Sequence, residues 1–185
     1  MPVITEGSLT FDFAFDAIKF DGTDYYRNHF NKINVRACRN KKNPCSRTIL
    51  KAVPAVDILA INTSTGYLIE VRDYTLETQE KILEDLIEQF LGKVLLTLAA
   101  ILPMKINATV TSEKDIADLF SKTAQIEAIL HLELPPSSSQ LQLASWSRSK
   151  IQMTLKRKLK GNINPKVVSK QDLQGLPWTV TGQLP

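Results

Sequence analysis

The sequence predicts a mixed-sheet α/β domain, and three observations carry that expectation. Two compact β-rich runs, "AVDILAI" and "YLIEV", are joined by the short polar link "NTSTG", so they are expected to pair as an antiparallel hairpin. Directly after them the apolar period becomes helical and stays so from Thr75 to Leu102. Strand-like and helical stretches then alternate, the order expected of a sheet of about four to six strands flanked by helices.

The elements follow in turn. "LTFDFAFDAIKF" alternates in part at period two. "DGTDYYRNHFNKI" offers a turn and a helix start, with Thr23 or Asp24 as N-cap and Tyr26, Phe30 and Ile33 on one face. "VRACRNKKNPCSR" reads as a loop and "TILKAV" as a short strand. The hairpin runs are apolar on both faces, which places them inside a covered sheet, with Gly66 suited to the turn.

In the long helix, Leu83, Leu86, Ile87, Phe90, Leu91, Val94, Leu95 and Leu98 recur at three and four, and the helix is expected to end at or before Pro103. "KINATVT" reads as a strand, "SEKDIADLFSKT" as a helix capped by Ser112, and "QIEAILHLELP" as a strand ended by proline. "SQLQLASWSRSKIQMTLKRKLKG" reads as a basic helix with Leu143, Trp146, Ile151, Leu155 and Leu159 inward and Gly161 as its stop.

With 185 residues, 43% apolar, the chain suffices for one ordinary core, so a single domain over 1–185 is expected. The apolar run Val94–Leu102 is shorter than the roughly 20 residues of a membrane span, so no membrane contact and a cytoplasmic location are expected. Cys38 and Cys45 have too few Cys or His neighbours for the usual zinc site. They read as free thiols, or as a short-loop disulfide in an oxidising compartment.

The net charge of +4 conceals a segregation. Residues 25–56 sum to +8 with no acid, residues 57–135 to −7, and residues 136–185 to +7 with Asp172 as the sole acid. Basic segments around a carboxylate-bearing centre suit a polyanion partner; a fold whose faces neutralise each other is the alternative.

Asp57 and Glu70 stand inside apolar runs, where a carboxylate is costly unless paired, hydrogen-bonded or bound to metal. Paired across "NTSTG", the two acids converge. Two such oxygens suit Mg²⁺, which lowers the pKa of a bound water and stabilises phosphoryl charge. Arg72, two residues after Glu70, points to the same side of the strand.

At Asp57 in "PAVD", at Glu70-Val71-Arg72 and in the long helix that follows, the sequence resembles the PD-(D/E)XK nuclease superfamily. The resemblance covers roughly residues 20–135 and implies a restriction-endonuclease-like core, with a basic C-terminal helical extension at about 139–185. It implies a metal-dependent nuclease, with Asp57 and Glu70 holding Mg²⁺ or Mn²⁺ and Arg72 orienting water or phosphate. Gln79 or Gln89 would correspond to a glutamine found on that helix in some relatives.

The family usually has lysine where Arg72 stands, and arginine stays protonated and prefers to fork onto a carboxylate or phosphate. Arg72 either serves the acid pair or silences it, and the second reading gives an inactive module that binds nucleic acid or a protein partner. Lys41, Lys42, Arg148, Lys156, Arg157, Lys158 and Lys160 are the candidate nucleic-acid contacts, with DNA expected before RNA and a homodimer as a further option. Glu127 and Glu133 are candidate additional ligands, and His29 and His131 read as packing residues. No phosphate loop, dinucleotide fingerprint or nucleophile elbow is present.

Overall fold

Strands begin at the N-terminus, where Leu9, Phe11 and Phe13 are buried in alternation with more exposed residues. The computed structural model describes residues 1–33, 35–37, 47–50, 53–75, 83–134, 147–161 and 163–182; for 35–37, 47–50, 83 and 84 it describes the backbone. Strands β1 (Val3–Glu6) and β2 (Leu9–Phe13) pair antiparallel, and β3 (Asp16–Lys19) joins another sheet. Helix α1 (Asp24–Asn28) precedes an antiparallel pair, β4 (Val35–Ala37) and β5 (Arg47–Leu50). Next come β6 (Ile58–Asn62), β7 (Thr65–Asp73), α2 (Leu83–Asn107), α3 (Thr111–Phe120), β8 (Gln125–Glu133), α4 (Arg148–Leu159), β9 (Asn164–Val168) and β10 (Trp178–Gly182).

The protein is a mixed-sheet α/β fold. A five-stranded sheet runs in the order β3-β6-β7-β8-β9, and a three-stranded sheet in the order β1-β2-β10. Within the larger sheet β3-β6 and β6-β7 are antiparallel, while β7-β8 and β8-β9 are parallel. The parallel links need crossovers, supplied by α2 with α3 and by α4. Period-two alternation then divides the larger sheet between two cores. Leu59, Leu68, Ala128 and Leu130 pack with Phe90, Val94, Ile101 and Met104 of α2. Ile58, Ala60, Ile69 and Ile129 pack with Phe11, Phe13 and Trp178 of the smaller sheet.

The hairpin turn is Thr63-Ser64, with Asn62 paired to Thr65 and Thr63 in the left-handed region at φ 53°. Gly66 therefore does not make the turn. A Cβ there would lie 2.5 Å from the Phe120 ring, so glycine is required by the close approach of α3.

Several expectations are corrected. Pro103 lies inside α2, which continues to Asn107, so "KINATVT" is a helix end and a loop. A proline removes one intrahelical bond, and the helix tolerates it because Ile101, Met104 and Ala108 are buried on both sides of it. The N-cap of α3 is Val110, and Ser112 lies within the first turn. Tyr25 and Phe30 are the buried residues near α1, whereas Ile33 is exposed. "VRACRNKKNPCSR" contributes β4 and the start of β5. Leu143, Trp146, Cys38 and Cys45 lie outside the described residues. By length and composition the stretch Asp85–Asn107 of α2 is apolar enough to cross a membrane, and less than half of it is buried in the fold.

One polar residue organises the helical layer. Thr23 caps α1 by accepting from Tyr26 N. Glu113, buried on α3, accepts from Asp24 N at 2.7 Å and Tyr25 N at 3.1 Å, so the remaining first-turn donors are met from a distant element. Glu113→Ala is expected to destabilise the protein by about 1–3 kcal/mol, since buried donors lose a charged acceptor. Chemical denaturation measures it, and an unchanged midpoint would refute the capping role.

Candidate functional site

Asp57 immediately precedes β6, and the pairing of Ile58 with Ile69 sets Asp57 level with Glu70 on β7. Alternation from Leu59 and Leu68 turns both carboxylates toward the α2 side of the sheet. Lys93, on α2, comes down between them. Its Nζ donates to Glu70 Oε1 at 2.7 Å and Oε2 at 2.9 Å, and lies 3.5 Å from Asp57 Oδ1. Arg72 Nη2 lies 2.8 Å from Glu70 Oε1. Asp57 Oδ2 accepts from Val71 N at 2.7 Å.

The backbone around Asp57 is held as well. Its carbonyl accepts from Phe20 N at 2.8 Å, and Val56 N donates to Thr97 Oγ1 of α2 at 3.0 Å. Asp57 is thus fixed by the chain on both sides and by one carboxylate oxygen. Glu70 is 1% exposed. Burial, reinforced by the Asp57 carboxylate, pushes its pKa from 4.5 up to about 7 against the opposing pull of Lys93 and Arg72. Asp21, after β3, is a third acid of the neighbourhood. Burial and then Asp57 raise its pKa.

The structure therefore brings Asp57, Glu70 and Arg72 together and adds Lys93, Thr97 and Asp21, which sequence reasoning missed. A signal for Lys93 existed: it is the only charge in the apolar stretch from Phe90 to Met104. An ammonium there requires a buried acid beneath it. An Mg²⁺ or Mn²⁺ ion between Asp57 and Glu70 would have to share both carboxylates with Lys93. Among the described residues no three His, Cys, Asp or Glu side chains form a metal-binding group.

Other candidates stand elsewhere. Glu133 lies on the opposite face of the sheet from Glu70, where its Oε1 is 2.9 Å from His131 Nε2 and accepts from Lys170 N at 2.6 Å. His131 is buried with its ring edge-on to Phe11. Glu127 pairs with Lys166 at 2.9 Å. His29 is exposed, its ring 5.6 Å from that of Tyr25, and Gln89 is exposed on α2. Gln79, Lys41 and Lys42 lie outside the described residues.

Helix α4 presents a different surface. Ser147 caps it by accepting from Lys150 N, and Ile151, Leu155 and Leu159 are buried as expected. Lys150, Lys156, Arg157 and Lys160 are exposed, Arg148 is half-buried, and exposed Lys158 lies 2.5 Å from Glu88 of α2. Lys160 ends the helix in the left-handed conformation and Gly161 follows at φ 79°.

No family model and no solved structure matches the chain. The cysteine–tRNA ligase of Neisseria meningitidis serogroup A / serotype 4A (strain DSM 15465 / Z2491) is 28% identical over 210 residues. The match takes in 98% of this chain and 30% of the ligase, so the chain spans about a third of the length of that relative. This corrects the expectation of a metal-dependent nuclease, and with it the descriptions hydrolase and endonuclease: the similar protein is a ligase. The geometry gives a physical counterpart, because Glu70 forms ion pairs with both Lys93 and Arg72.

Proposed function

We propose that this chain is a nucleic-acid-binding module that contacts RNA of the tRNA class through the outer face of α4. The observation that carries the reading is the division of that helix. Ile151, Leu155 and Leu159 are committed to the core, which leaves Lys150, Lys156, Arg157 and Lys160 as a fixed cationic ridge in water. Cations in the last turn also suit the negative end of the helix dipole. Lys158 is engaged by Glu88, and the other exposed charges of the helix are available for phosphates.

The similarity to a tRNA ligase supports RNA ahead of the DNA expected from the sequence, and its extent suits one module of a larger protein. The cluster at Glu70 then serves as a strut that holds α2 on the sheet. Kinship with the PD-(D/E)XK superfamily is supported at the level of architecture by the hairpin, the long helix and the parallel strand that follows.

Fluorescence anisotropy with labelled unfractionated tRNA and a DNA duplex of similar length, over a series of salt concentrations, tests the proposal. Affinity for tRNA is expected to fall steeply with salt. Lys156→Glu with Arg157→Glu should weaken it about tenfold or more and flatten the logarithmic salt slope by roughly 0.7–0.9 for each phosphate that the variant no longer neutralises. Salt-independent binding, no binding, or tighter binding to DNA would overturn it.

A further inference from the structure

Helix α2 carries two apolar seams. Ile87, Phe90, Val94, Thr97, Ile101 and Met104, followed by Ala108 just past the helix end, repeat at alternating steps of three and four, and all are buried. Five positions further on, Gly92, Leu95, Ala99, Leu102 and Ile106 repeat the same pattern. At about 100° per residue the second seam lies about 140° round the helix from the first. Leu95 is 56%, Leu102 61% and Ile106 63% exposed, and Ala99 is exposed too. A Cβ added at Gly92 would have nothing within 4 Å.

We infer that this outer seam is the contact surface for a second copy of the same chain, the two α2 helices packing antiparallel about a two-fold axis at the level of residue 97. An apolar ridge at heptad spacing on an otherwise polar surface is the sequence of a helix that packs on another helix. What selects a second copy is the order of sizes along the seam. Reversing one helix about residue 97 sets Leu95 opposite Ala99 of the other copy, and Gly92 opposite Leu102. Leu95 and Leu102 then each face a small side chain, each pair occurring twice as a two-fold contact requires, while Ile106 at the end of the seam lies opposite Glu88. A parallel pair would set leucine against leucine and glycine against glycine, in alternating crowded and empty layers.

The flanking positions fit the same contact. Leu91, Leu96 and Leu98 are half-buried beside the seam, and Lys93 is turned inward to Glu70, so no charge of the central stretch enters the interface. The part of the seam that meets itself in this register, Gly92 to Leu102, is about 15 Å long. That single helix face is smaller than the roughly 800 Å² per partner of a standard interface, so weak, concentration-dependent association is expected. The inference is independent of RNA binding, whose proposed residues lie on α4.

Sedimentation equilibrium on the full chain, from micromolar to millimolar concentration, is expected to show the mass rising from one chain toward two. Leu102→Glu should hold it at one chain throughout, with the circular dichroism spectrum unchanged because the inner seam is untouched. Cross-linking fixes the register in a background with Cys38→Ser and Cys45→Ser. An oxidised mixture of Leu95→Cys and Ala99→Cys chains should give a disulfide-linked pair, as should a mixture of Gly92→Cys and Leu102→Cys, while none of these chains should link to itself. A monomer at every concentration, a dimer indifferent to Leu102→Glu, or self-linkage of Ala99→Cys would overturn the inference. So would binding of the wild type to phosphatidylcholine vesicles that Leu102→Glu abolishes, which would assign the seam to lipid.

Discussion

Lys93→Met is expected to destabilise the protein by about 3 kcal/mol near pH 8 and by much less near pH 5. Removing one member of a buried ion pair costs roughly 3–5 kcal/mol, because the partner charge is left without compensation. The lower end applies here, since Arg72 still contacts Glu70 and since Glu70 can take up a proton. The same protonation gives the expected pH dependence. Near pH 5 the Glu70 carboxyl is already largely neutral, and Lys93 then balances Asp57 alone, at 3.5 Å. Urea denaturation of the wild type and the variant at both pH values measures the difference. An equal loss at the two values would show that packing of the lysine stem, and not charge, is what the variant removes.

Glu70→Gln is expected to change the slope of stability against pH. The folded carboxyl has a pKa of about 7 and the unfolded one about 4.5, so between those values the folded state binds more protons. Stability from this group is therefore greatest below pH 4.5 and is lost as pH rises toward 7. The full excursion is roughly 3 kcal/mol. Glutamine has no such titration, so the stability difference between variant and wild type should shift in favour of the variant by that amount across the window. Groups titrating elsewhere, among them Asp73 and Glu133 with lowered pKa values, are common to both proteins and cancel in the comparison. A difference that is flat from pH 4.5 to 7 would mean that Glu70 is ionised throughout and that Lys93 and Arg72 outweigh its burial.

Much of the larger sheet was legible because its signals are local. The link between β6 and β7 is short enough to force antiparallel pairing, and an apolar strand cannot be left in water. The same holds for β8 and for the buried side of α4, where spacing alone selects Ile151, Leu155 and Leu159. Boundaries were less legible. Pro103 is a stop by propensity, yet buried contacts on both sides of it carry α2 to Asn107. Gly66 looked like a turn residue, and its reason is the Phe120 ring, which approaches from an element more than fifty residues later.

The acids divide along the same line. By itself the sequence determined that Asp57 and Glu70 are adjacent on paired strands and that each needs a partner, because hairpin register and the cost of a buried carboxylate are properties of a short stretch of chain. Only the tertiary structure decided who the partners are. Lys93 reaches the pair from a helix whose register over the sheet is fixed by Phe90, Val94, Ile101 and Met104 in the core. Glu113 reaches α1 from about ninety residues away for the same reason. Such partners depend on how whole elements pack, and packing is a sum over many apolar contacts that no local pattern contains.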